Sequence, residues 1–161
     1  MQLIKTIFDT IVTVFTKALF IYSVYYVVLS MFGFIRIKSK KKFEPQKSFA
    51  LLVAAHNEEK VIENVVHSLL NLDYPRELYD IFVIADNCTD NTATLAREAG
   101  AIVYERVDKE KRGKGYALEW MFDKIFKMKK KYDAVVIFDA DNLASKQFLK
   151  EMNNKLCEGF E

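Results

Sequence analysis

From Ser48 onward the apolar positions alternate between short continuous runs and helical spacing, and that alternation predicts βαβ units. Ser48 to Ala55 reads as a first strand, Ile81 to Ile84 as a second, Ala101 to Glu105 as a third and Val135 to Phe138 as a fourth. Between the first two, Val61, Ile62, Val65, Val66, Leu69 and Leu70 recur at i, i+3, i+4 and mark a helix. Asn57 is its expected cap, with Glu58 and Glu59 favourable in the first turn. The next helix is expected to start at a Thr89 or Asp90 cap and run through Ala99, with Gly100 as its stop. A third carries Ala117, Leu118, Met121, Phe122, Ile125 and Phe126, and a last one opens at Ser145 with Phe148, Leu149, Met152 and Leu156 on one face. Because crossovers between parallel strands are nearly always right-handed, the series predicts an α/β, Rossmann-like half with a mainly parallel sheet.

The first part of the chain follows a different pattern. No charge occurs between Lys17 and Arg36, and the eighteen residues Ala18 to Ile35 would span about 27 Å as a helix, close to the hydrocarbon thickness of a bilayer. The segment is too long, and its flanks too bulky, for a signal peptide, so an N-terminal transmembrane helix is expected. Residues 1–47 hold eight lysines and arginines against Asp9 and Glu44, whereas residues 48–161 hold sixteen against twenty acids. Most of the basic excess is Arg36, Lys38, Lys40, Lys41, Lys42 and Lys47. By the positive-inside bias this flank stays in the cytoplasm, where it can also meet anionic lipid headgroups. The expected organisation is a membrane helix over residues 1–37, a basic linker over 38–47 and a cytoplasmic domain over 48–161. Nucleic acid is disfavoured as a partner, because the folded part is net acidic and its basic residues form no stripe. Cys88 and Cys157 have no metal-ligand spacing and read as reduced thiols, and His67 reads as structural within its helix.

Ligands of open α/β sheets bind beyond the carboxyl ends of the strands, and three predicted strand ends carry polar groups. The first offers His56, Asn57 and Glu58, the second Asp86 and Asn87, and the fourth Asp139, Asp141 and Asn142. In extended backbone, residues i and i+2 share a side, so Asp139 and Asp141 are expected to converge on one hard cation. Asp86, an acceptor, suits a base with an imide or amide N–H, as in uracil or guanine, or else caps the following helix. Lys109, Lys111, Arg112 and Lys114, with Gly113 and Gly115, form a cationic loop at a helix start, where backbone N–H groups and lysine can face a diphosphate. Lys114, held between glycines, is the preferred candidate. The first strand lacks the G-x-G-x-x-G turn of dinucleotide sites, and there is no Walker A loop.

The segments 53–59 (VAAHNEE), 83–92 (VIADNCTDNT), 112–118 (RGKGYAL) and 138–142 (FDADN) together resemble, in order and spacing, family 2 glycosyltransferases of the GT-A fold. The likeness covers roughly residues 48–145. With a preceding membrane helix, the chain is similar to the membrane-bound polysaccharide synthases of that family, such as cellulose, chitin and hyaluronan synthases. The resemblance implies inverting transfer of a sugar from a nucleotide diphosphate donor, commonly a UDP-sugar, to a glycan or other acceptor, with Mg²⁺ or Mn²⁺. It implies that Ala54, His56 and Glu58 line the nucleoside pocket, that Asp86 contacts the base and that Lys114 lies near base or diphosphate. It further implies that Asp139 and Asp141 form a metal-binding DxD, Asp139 reaching ribose or metal.

The family places an acidic general base and its acceptor half after the DxD, whereas this sequence ends about twenty residues beyond it, at Glu161. No catalytic base is therefore assigned, and a fragment or truncated product of a longer enzyme is expected. Trp120 belongs to the third helix's pattern and not to the Gln/Arg/Trp motif of processive members. Two alternatives remain open: a sugar-nucleotidyltransferase, whose Gly-rich Arg/Lys loop after the first strand is missing here, and a non-catalytic membrane-anchored interaction module.

Overall fold

The computed structural model describes residues 1–33 and 42–160. The chain divides into two units, Met1–Lys40 and Lys41–Glu161. The first is a single helix, α1, Gln2–Phe32, long and apolar enough to cross a bilayer. Its hydroxyls are satisfied within the helix: Thr6, Thr10, Thr13, Thr16 and Ser23 each donate to the carbonyl four residues earlier. Such back-bonding lets a polar side chain sit in an apolar medium without an unpaired donor. Of the expected basic cluster, Arg36, Lys38, Lys40 and Lys41 lie outside the described residues, as does the expected boundary at 37.

The second unit orders its elements β1 (Phe49–Ala55), α2 (Ile62–Leu70), β2 (Tyr79–Asp86), α3 (Thr92–Glu98), β3 (Ile102–Arg106), α4 (Lys114–Lys127), β4 (Ala134–Asp139) and α5 (Phe148–Cys157). The four strands form one sheet in the order β3-β2-β1-β4, and each pairing is parallel. β1 lies in the interior of the sheet, and Phe49 to Val53 are fully buried. Alternation along β1 sorts its side chains between two cores. Phe49, Leu51 and Val53 pack with Val65, Val66 and Leu69 of α2, Ala96 of α3 and Leu149 of α5. Ala50 and Leu52 pack with Ala117, Met121 and Ile125 of α4. The sheet is thus doubly wound, and the chain crosses from one edge to the other between β3 and β4. That reversal opens a crevice at the carboxyl ends, the position where such sheets bind ligands.

Local chemistry departs from the expected pattern at two boundaries, the starts of α2 and α5. Asn57 does not cap α2: it adopts φ 57°, and its side-chain oxygen accepts from the Thr89 N–H, 2.7 Å away, tying the loop after β1 to the loop after β2. Residues 58–61 form a turn instead, and α2 begins at Ile62. α5 begins at Phe148, preceded by a turn in which the Phe148 N–H donates to the Ser145 carbonyl. His67, expected to be structural, is exposed on α2. Both cysteines are free, as expected. On α4, Phe126 stays exposed while stacking on Phe122.

The strap 43–47 is held chiefly by buried amides of α5: Asn154 Oδ1 accepts the Phe43 N–H at 2.9 Å, and Asn153 makes the larger set of bonds. Asn153 Oδ1 accepts from the Gln46 and Lys47 N–H groups and from the Tyr74 hydroxyl, each at 3.1 Å, while its Nδ2 donates to the Phe43 and Glu44 carbonyls. Removing that amide strands several polar groups at once, so Asn153→Ala is expected to cost about 2–3 kcal/mol and to speed amide exchange at Gln46 and Lys47. Thermal unfolding and hydrogen exchange of the variant test this; an unchanged melting temperature would contradict it.

Candidate functional site

Parallel register brings the ends of β1 and β2 side by side, Ala55 opposite Ala85, so His56, the residue after β1, lies beside Asp86, the last residue of β2. His56 Nδ1 lies 2.7 Å from the Asp86 carbonyl oxygen. A carbonyl only accepts, so Nδ1 carries a proton, and in the neutral imidazole Nε2 is the acceptor. On the other side Asp86 is opposite Arg106 at the end of β3, and their side chains form a buried ion pair. Arg106 Nη1 is 2.6 Å from Asp86 Oδ1, with the two side chains 5% and 8% exposed.

Arg106 also shapes the loop after β3. Its Nη2 donates to Asp108 Oδ2 at 3.0 Å and to the Lys111 carbonyl at 2.7 Å. Asp108 Oδ1 in turn accepts the Glu110 and Lys111 N–H groups. Asn87, at φ 51°, completes the knot: Nδ2 donates to Asp86 Oδ1, Oδ1 accepts the Asp108 N–H, and its own N–H donates to the Arg106 carbonyl. The cationic segment of the loop is therefore folded back on β2. Gly113, at φ 112°, lets the chain turn into α4, a conformation that any Cβ would strain.

Between these elements lies a cavity of about 200 Å³. Its apolar wall is Ala54, Ala55 and Ala117; His56, Asp86 and Asn87 stand at one side and Arg112, Gly113 and Lys114 at the other. Four of the expected residues, Ala54, His56, Asp86 and Lys114, thus converge. Lys114 continues the site toward β4 by pairing with Asp139 Oδ1, two side chains 46% and 55% exposed. Glu58 is not among the lining residues; it is half-buried, and its N–H donates to Thr92 Oγ1. Nor does Asp86 cap α3, since Asp90 Oδ1 accepts both the Thr92 N–H and its hydroxyl.

At Asp139 and Asp141 the structure replaces the expected extended backbone with a turn. β4 ends at Asp139, and a turn follows in which the Asn142 N–H donates to the Asp139 carbonyl at 3.2 Å. Ala140 is buried beneath that turn and Asp141 projects from it, exposed.

The sequence reading also missed Arg106. It lies in a stretch dense with Lys, Arg, Asp and Glu that reads as solvated loop, and only its position opposite Asp86 in the register distinguishes it.

With the fold and site in view, comparison with known proteins places the chain. A family model described as "Glycosyltransferase like family 2" matches residues 45–159. The chain belongs to that glycosyltransferase family. The probable glycosyltransferase YdaM of Bacillus subtilis is 28% identical over 115 residues, 68% of this chain and 26% of that protein. A beta-monoglucosyldiacylglycerol synthase of Nostoc sp. is 36% identical over 97 residues, 57% of this chain and 20% of that protein. The chain thus spans about a quarter or less of the length of these curated relatives. Among solved structures, glucosyl-3-phosphoglycerate synthase of Mycobacterium tuberculosis, in complex with Mn²⁺, UDP and glucosyl-3-phosphoglycerate, superposes with a TM-score of 0.54 at 27% identity, covering 68% of this chain and 39% of that one. The mannosyltransferase PcManGT of Pyrobaculum calidifontis, in complex with GDP-Man and Mn²⁺, shares the fold at a TM-score of 0.57 and 24% identity, covering 73% of this chain and 36% of that one.

The family 2 chain carries one acid in this region whose titration reports on the loop. Hydrogen bonds from the Lys111 N–H, then the Glu110 N–H, with Arg106 nearby, hold the Asp108 carboxyl below its ordinary value against a partial desolvation. A lowered carboxyl stabilises the folded loop above the ordinary value, and that contribution disappears as pH falls through the lowered one. Amide NMR signals of Glu110 and Lys111 should therefore shift only below the ordinary carboxylate range, about pH 4. A midpoint at or above that range would contradict the assignment.

Proposed function

We propose that the second unit is the donor-binding part of a family 2 glycosyltransferase that binds a nucleoside diphosphate sugar, with a uracil or guanine base, together with Mg²⁺ or Mn²⁺. The observation that carries the reading is a cavity whose lining combines a buried carboxylate, Asp86, with a glycine-flanked lysine, Lys114, at a helix start. In this reading Asp86 accepts from the base N–H, and a carboxylate there disfavours bases that present an acceptor at the same edge. Ala54, Ala55 and Ala117 supply the flat apolar wall a base and ribose can pack on, and His56 offers its Nε2 lone pair. Lys114 and the first N–H groups of α4 face the diphosphate, where charge-assisted bonds and the positive end of the helix both favour an anion.

The donor set at the end of β4 suits a hard divalent cation. No group of three His, Cys, Asp or Glu side chains converges among the described residues, which argues against a closed structural site. Asp139 and Asp141, exposed beside a cationic cavity, match an ion that takes most of its oxygen ligands from diphosphate and water. Asp139, Asp141 or both would hold it, and such an ion acts as a Lewis acid on the departing phosphate. The mycobacterial synthase, solved in complex with UDP and Mn²⁺, supports the same ligand class.

We further propose that α1 anchors the unit to a membrane with the site on the cytoplasmic side, residues 1–37 and 38–47 serving as anchor and basic linker. Lys42 and Lys47 add positive charge there. A lipid or glycan acceptor at the membrane face would then be in reach, in keeping with the relative named beta-monoglucosyldiacylglycerol synthase. Family membership disfavours the nucleotidyltransferase alternative, and the built cavity disfavours a purely structural module.

Calorimetric titration of the full chain in detergent with UDP, and with GDP, tests the reading in the presence and absence of Mn²⁺. Binding of one of them, strengthened about tenfold or more by Mn²⁺, is expected, with the Mn²⁺ gain lost in the double substitution D139N/D141N. A folded protein that binds neither nucleotide at millimolar concentration would overturn it.

A further inference from the structure

Arg106 is not among the residues that line the cavity, yet its guanidinium connects two parts of the lining. One nitrogen bonds the Asp86 carboxylate and the other bonds the Asp108 carboxylate and the Lys111 carbonyl. Asp86 lines the cavity, and the chain leaving Lys111 enters it one residue later at Arg112. Arg106 itself is buried, 5% exposed. Both side-chain hydrogen bonds described for the Asp86 carboxylate, from Arg106 and Asn87, fall on Oδ1, so the remaining oxygen is the one that can meet a ligand.

We infer that Arg106 is a positioning residue for nucleobase selection: it presents Asp86 Oδ2 to the base and, through the same planar fork, fixes how far the Arg112–Lys114 segment stands from it. The inference rests on the nucleotide-site reading above and adds to it the origin of base discrimination. An aspartate on a single bond rotates among several rotamers, and discrimination between an N–H and a lone pair at the base edge needs one of them held. A planar guanidinium with separate nitrogens for Asp86 and for the loop holds both at once. An ammonium in its place keeps the charge and loses the fixed angle between its partners. Two consequences separate here. Losing the charge and the fork together should loosen Asp86 and the loop; keeping the charge alone should preserve base choice better than it preserves the spacing to the diphosphate.

The test uses the full chain in detergent with Mn²⁺, and four ligands measured by calorimetry: UDP, GDP, CDP and the nucleoside of whichever of the first two binds better. Wild type is expected to prefer that diphosphate to CDP. In R106Q the preference should shrink about tenfold, chiefly through loss of the preferred ligand and not through gain of CDP. In R106K the preference should largely survive, while the advantage of the diphosphate over its nucleoside falls several-fold. Asp108→Ala, which removes one of the two partners of the fork's second arm together with the carboxylate that accepts the Glu110 and Lys111 N–H groups, and leaves the Asp86 pair intact, should shift the ratios in the R106K direction. A purely structural Arg106 would lower all affinities in proportion and leave both ratios unchanged, and that result in folded R106Q overturns the inference. Should R106Q fail to fold, R106K and Asp108→Ala decide: unchanged diphosphate-to-nucleoside ratios in both overturn it. A wild type that binds no nucleotide overturns the nucleotide-site reading itself, and the inference with it, whereas wild-type discrimination with unaltered variant ratios overturns the inference alone.

Discussion

A buried ion pair between the ends of two parallel strands organises one end of this sheet. Asp86 and Arg106 are neighbours in the register of β2 and β3 and are both almost wholly removed from solvent. Charges in that position cannot be left single: removing one partner of a buried pair typically costs about 3–5 kcal/mol, because the other remains desolvated and uncompensated. The pair is embedded in further hydrogen bonds from Asn87 and to Asp108 and Lys111, so its geometry fixes the path of the loop after β3. That path decides where Gly113 and Lys114 start α4, and hence where the cavity closes. The apolar sheet beneath provides the rigid base, since β1 and β2 are packed on both faces and have little freedom to shift.

Much of this was legible in the chain's periodicities. Strand runs at 48–55, 81–84, 101–105 and 135–138 fall within a residue or two of the observed elements: β1 and β2, buried on both faces, leave continuous apolar runs, and the edge strands β3 and β4 keep shorter apolar runs that are only partly covered. The polar residues at strand ends were legible for the same reason: once strands are parallel, their carboxyl ends share an edge. The features that stayed hidden depend on loop chemistry. Asn57 carries the signature of a helix cap, but the cap position competes with a tether to Thr89, and the tether prevails. The Asp139–Asp141 spacing suggests side chains on one side of extended backbone, but the strand stops at Asp139 and a turn intervenes. Arg106 is one cation in a charged stretch, and sequence gives no measure of burial for a single arginine.

The two units follow different physical rules. In α1 the exposed surface is apolar along most of the helix, and hydroxyls bond to their own helix, as a lipid-facing segment requires. In the second unit apolar side chains are drawn into two cores, and charge concentrates at strand ends and loops. The second unit carries the match to the glycosyltransferase family, and the chain spans about a quarter or less of the length of the curated relatives named above. Ile137 of β4 is 43% exposed, so the apolar face of that edge strand is less covered than the faces of β1.

In the proposed site, nucleotide and divalent ion meet between the start of α4 and the end of β4. Paramagnetic broadening by substoichiometric Mn²⁺ in amide NMR spectra of the full chain tests it most directly. The account predicts that, with UDP or GDP present, broadening centres on Gly113–Lys114 and on Asp139–Asn142 and spares the far ends of the strands near Phe49 and Tyr79. Broadening that ignores the nucleotide, or that centres elsewhere on the chain, would contradict it.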